Sequence, residues 1–62
     1  MQAFQELLER SQKEKRGITF YLHGQTIAGV VLKINEDTVV AYNQTYDRII
    51  LRMDRVEAVA MQ

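Results

Sequence analysis

The sequence predicts a mostly β domain led by one α-helix, with five antiparallel strands bent strongly into a small, partly open barrel. Three observations carry that expectation. Helical spacing is confined to the first fifteen residues, and from Ile18 onward the chain is β-branched and aromatic, broken by short turn formers and free of proline. The third is Gly29, a glycine inside a strand too long to stay straight.

In the opening segment Phe4, Leu7, Leu8 and Ser11 fall on one helical face, with good helix formers between them, and Glu6 and Glu9 each precede a cation by four residues. The helix is expected over about residues 2–15, with Gly17 stopping it. About two turns of apolar stripe are too few to hold a helix alone in water, so it must lie on something else. The strands are expected at Ile18 to His23, Thr26 to Asn35, Thr38 to Tyr42, Arg48 to Arg52 and Val56 to Ala60. Their separators, including Gly24-Gln25 and Asn35-Glu36-Asp37, are short enough to join antiparallel neighbours. The helix is expected to cap one open end of the barrel.

Residues 1–62 read as one domain, with 47% apolar and 26% charged residues, the balance of a soluble folded chain. No apolar run is long enough for a membrane span and no secretory leader is recognisable, so a cytoplasmic location without membrane contact is expected. With no cysteine and one histidine, His23, neither a disulfide framework nor a metal site is expected, and no cofactor. A chain this short buries only roughly 60% of its unfolded surface. Self-association is the remaining common way to bury more. Eight cations balance eight anions, which excludes a nucleic-acid glue acting by bulk charge. Four of the cations, Arg10, Lys13, Lys15 and Arg16, nevertheless cluster at the helix end.

At this point the residues resemble the Sm-like (SH3-like) fold, and within it the bacterial Hfq (host factor) RNA chaperones. Phe4 to Arg10 looks like the Hfq helix, and Ile18-Thr19-Phe20-Tyr21-Leu22 looks like its first strand. Gly29 with Val30-Val31-Leu32-Lys33-Ile34-Asn35 is similar to the bent strand ending the first Sm motif, which Val39-Val40-Ala41-Tyr42-Asn43 continues. Leu51-Arg52-Met53-Asp54-Arg55-Val56 is similar to the second motif. The chain departs from the family at Asn35, where aspartate is usual, and at Asp37, where Hfq has an aromatic residue. It departs again at Leu51, Arg52 and Met53, which stand for tyrosine, lysine and histidine. The resemblance implies a homo-oligomeric ring, normally a hexamer, with the fourth strand of one subunit pairing with the fifth of the next. Unpaired, proline-free strand margins invite the same pairing on physical grounds.

The resemblance also implies three RNA-binding regions. Tyr21, Leu22, Gly24, Gln25, Thr26 and Ile27 match the face opposite the helices, which takes A-rich single strands by stacking and edge recognition. The alternative is a strand tyrosine and an ordinary turn. Asn35, Asp37, Leu51, Arg52 and Met53 match the loops around the pore; here Glu36 and Asp37 repel RNA, and an ion pair from Asp37 to Arg52 or Arg55 that merely ties the loops is the competing reading. Arg10, Lys13, Lys15 and Arg16 match the basic rim, or form a solvated face. Tyr46 is a candidate for the subunit contact.

No nucleophile, metal partner or phosphate-cradling loop accompanies the acids, so no enzymatic activity is expected. The function expected from the resemblance is an RNA chaperone that binds single-stranded RNA and promotes pairing of small regulatory RNA with messenger RNA, in post-transcriptional and stress regulation. The competing expectation is an Sm-like or SH3-like protein-interaction module with weakened or lost RNA binding.

Overall fold

The computed structural model describes residues 2–62. Its helix α1 spans Gln2–Glu14. Leu8 and Ser11 are buried, and Phe4 and Leu7 pack against the core, so the predicted stripe is the face that docks. It lies mainly on the second strand, with lesser contact to the fifth and first. The helix ends one residue earlier than expected, and Gly17 is not what ends it. Lys15 takes the left-handed conformation (φ 55°), and the Arg16 N–H reaches back to the Ser11 carbonyl at 3.2 Å, closing a Schellman-type turn. The left-handed geometry costs a lysine roughly 1–2 kcal/mol. The Ser11 hydroxyl offsets it by donating to the Arg16 carbonyl at 2.7 Å.

The strands are β1 Ile18–Leu22, β2 Gln25–Ile34, β3 Thr38–Tyr42, β4 Ile49–Arg52 and β5 Val56–Ala60, with a 3-10 turn, Met53–Arg55, before the last. The ends of β1, β2 and β4 each differ by a residue from the expected ones. The β1–β2 turn is His23–Gly24, one step before the expected Gly24-Gln25, because Leu22 pairs with Gln25 and Gly24 supplies the positive φ (78°) that its turn position requires.

Strand β2 bends at Gly29. Up to that residue it pairs with β1, and from Val30 it pairs with β3. A β-carbon at Gly29 would stand 2.6 Å from the Tyr42 carbonyl oxygen, so the approach of the two backbones admits only glycine. A register shift between Val31 and Lys33 adds a second irregularity to the same strand.

The five antiparallel strands lie in the order β4-β3-β2-β1-β5. β4 and β5 are the two margins and do not pair with each other, so the expected barrel is an open, bent sheet within this chain. Every second residue of β1 and β3 turns inward. Ile18, Phe20, Val39 and Ala41 meet Leu8, Val31, Leu51 and Val56 in one core. Among the described residues no helix is long and apolar enough to cross a membrane.

Candidate nucleic-acid interface

Strand alternation divides the first expected region. Tyr21 and Thr26 are cross-strand partners, and Tyr21 also faces Ala58 of β5; Thr19 faces Ala28 and Ala60 in the same way. The result is an outward face floored by alanines and threonines from which one aromatic ring, 41% exposed, projects. Leu22 and Ile27 instead pack against the core. Gly24 belongs to the turn, and the exposed Gln25 opposes Leu22 at the sheet end. Of the six residues, Tyr21 and Thr26 therefore share the open face, while Leu22 and Ile27 hold it from beneath.

The two expected pore loops do meet. The Met53 N–H donates to the Asp37 carbonyl at 2.9 Å, and Thr38 pairs with Arg52 across β3 and β4. Asn35 is committed to closing its own turn, its backbone N–H donating to the Thr38 carbonyl at 2.9 Å and its amide to the Thr38 hydroxyl at 3.2 Å. Arg52 donates to Asp54 at 3.0 Å, not to Asp37, and Arg55 makes no ion pair among the described residues. The expected loop-tying salt bridge is therefore absent, since a backbone hydrogen bond joins the loops and the nearer carboxylate takes the guanidinium. Leu51 is buried in the core and has no surface to offer RNA. Met53 is half-buried and lines a groove with Phe4, Gln5, Ile34, Asn35 and Glu36. That groove is apolar at its base and acidic at its lip.

On the rim, Glu14 is shared between Arg10 at 3.7 Å and Arg16 at 3.3 Å. Arg16 also donates to the Gln62 carbonyl, which ties the helix exit to the residues just past β5. Lys13 and Lys15 are exposed and make no ion pair among the described residues. A single carboxylate thus serves two guanidiniums, so the cluster of four cations keeps a net positive charge.

Two residues that matter to the geometry carried little signal in the sequence. Ser11, completely buried, accepts the Val31 N–H at 3.0 Å while donating to Arg16, so it satisfies β2 where the helix crosses it. Its place in the apolar stripe was the only clue. Asn43 accepts the N–H groups of Thr45 and Tyr46 at 2.9 and 2.8 Å and donates to the Ala28 carbonyl at 2.8 Å. Its pattern, Asn followed by polar residues between two strands, is that of an Asx turn. Tyr46, at the end of that turn, is 60% exposed.

No family model, curated protein or solved structure matches this chain.

Proposed function

We propose that this chain is an Sm-like, Hfq-like RNA-binding protein that assembles into a ring and holds single-stranded RNA on the strand face bearing Tyr21. The observation that carries the RNA reading is the exposed Tyr21 ring standing over a floor of alanines and threonines, a surface on which a base can stack without displacing a large side chain. What supports the ring is the pair of open margins, with Ile50 on β4 left 67% exposed. Pairing β4 of one subunit with β5 of the next satisfies both margins and joins the open sheets into one continuous belt of strands around the ring. Copies related by a closing rotation form a ring, and a hexamer is the number the family resemblance implies.

The mechanism is concentration and positioning, without bond chemistry. Each ring repeats the Tyr21 face and the Lys13–Lys15 rim in every subunit, so two RNAs held on one particle meet at raised local concentration. That is the action of a chaperone pairing small regulatory RNA with messenger RNA in the cytoplasm. Glu36 and the Arg52–Asp54 pair leave little positive field at the pore loops, so the uridine-type site is the weak one.

Fluorescence anisotropy with oligoadenylate, oligouridylate and a structured small RNA at low and moderate salt tests the reading. Adenylate is expected to bind most tightly, with a clear salt dependence. Failure of all three at low salt overturns the RNA function and leaves a protein-interaction module.

A further inference from the structure

Two hollows on the outer side of the sheet share part of their lining. One, of about 660 Å³, runs from Tyr21 over Thr19 and Ala60 to Arg16. The other, of about 400 Å³, lies over Gly29, Val30, Tyr42 and Gln44. Gly17 and Ala28 line both. The two hollows thus adjoin at a glycine and an alanine, the residues with the least side chain to separate them.

We infer that the two hollows are one trough carrying a single RNA strand across a subunit, with one base on Tyr21, a second at Tyr42 and Gln44, and the intervening backbone passing Arg16. The inference rests on the RNA reading above and adds a second base position and a path. Charge is the first support. Of the eight acidic side chains none lines either hollow, and Arg16 is the only charged side chain that does. The groove beside Met53, by contrast, includes Glu36. A polyanion is accommodated along the first surface and repelled from the second.

Hydrogen-bonding capacity is the second support. Asn43 spends its amide inside the turn, on Thr45, Tyr46 and Ala28, and in doing so fixes the segment that presents Gln44. The Gln44 side chain is exposed and makes no hydrogen bond among the described residues, leaving a carbonyl and an NH₂ for a base edge. Arg16 donates through one nitrogen to Glu14 and through another to Gln62, and a guanidinium has five N–H groups, so donors remain for a phosphate.

Gly17 makes the trough testable, because a β-carbon there meets nothing within 4 Å and the backbone is not left-handed. Gly17→Glu, Gly17→Gln, Gln44→Ala and Tyr21→Ala are titrated against fluorescein-labelled oligoadenylate, with circular dichroism melts verifying the fold. Gly17→Glu is expected to weaken binding about tenfold or more, Gly17→Gln by less, and Gln44→Ala by several-fold. Wild-type affinity in both Gly17→Glu and Gln44→Ala, with Tyr21→Ala weakened, overturns the trough and leaves the Tyr21 site standing. Should Gly17→Glu lose its fold, Gln44→Ala decides alone, since Gln44 is an exposed loop residue. Wild-type protein that binds no oligoadenylate overturns the trough and the RNA reading together.

Discussion

The Ser11 hydroxyl accepts the Val31 backbone N–H at 3.0 Å, so a helix side chain completes the hydrogen bonding of a buried strand. Removing that oxygen leaves a donor out of reach of water. Ser11→Ala is expected to lower stability by about 1–3 kcal/mol, because the cost of an unsatisfied buried group exceeds the gain from a slightly less polar side chain. Urea unfolding at fixed protein concentration measures it. A change below experimental error would mean that the strand finds another acceptor.

Gly29→Ala tests the close approach of β2 and β3. Its added carbon would overlap the Tyr42 carbonyl, a backbone atom that cannot swing aside, so about 1–3 kcal/mol or more of overpacking is expected. In a domain this small that is a large part of the whole. Gly24→Ala, strained only by its φ of 78°, is expected to cost about 1–2 kcal/mol, with no steric overlap added. Comparison of the two melting curves separates crowding from backbone strain.

Ile50→Lys places a charge on the β4 margin at a position already 67% exposed. The isolated fold loses little by it, whereas a strand–strand junction between copies acquires a repulsive, hydrated group. Native mass spectrometry is expected to show the wild-type ring and a smaller species for the variant, with unchanged far-ultraviolet dichroism. An intact variant ring would move the contact away from β4.

Arg52→Ala is expected to change stability by less than about 1 kcal/mol, since both members of the Arg52–Asp54 pair are more than half exposed and surface ion pairs contribute little. The two loops stay joined through Met53 and Asp37. A larger loss in chemical denaturation would assign the guanidinium a structural role that its contacts do not suggest.

Strand positions were legible to within a residue because β-branching and turn formers act locally. Gly29 was legible as a site of close approach because a strand-interior glycine has few other uses. The helix stop was not, since Lys15 holds a conformation typical of glycine only through bonds made by Ser11 and Arg16. The same holds for the loops that Met53 and Asp37 join. Pairing across the strands would set Arg52 near Asp37, and the choice of Asp54 follows from the 3-10 turn that brings this carboxylate, two residues on, beside the guanidinium. In sequence Tyr21, Leu22, Gly24, Gln25, Thr26 and Ile27 look like one surface, but alternation sends Leu22 and Ile27 to the side opposite Tyr21.

Because β2 belongs to both halves of the sheet, neither half has a skeleton of its own. Fraying the outer strands leaves this shared spine in place, while melting the spine dissolves every neighbour at once. Its amides should consequently be the slowest to exchange with deuterium, opening only when the entire molecule does.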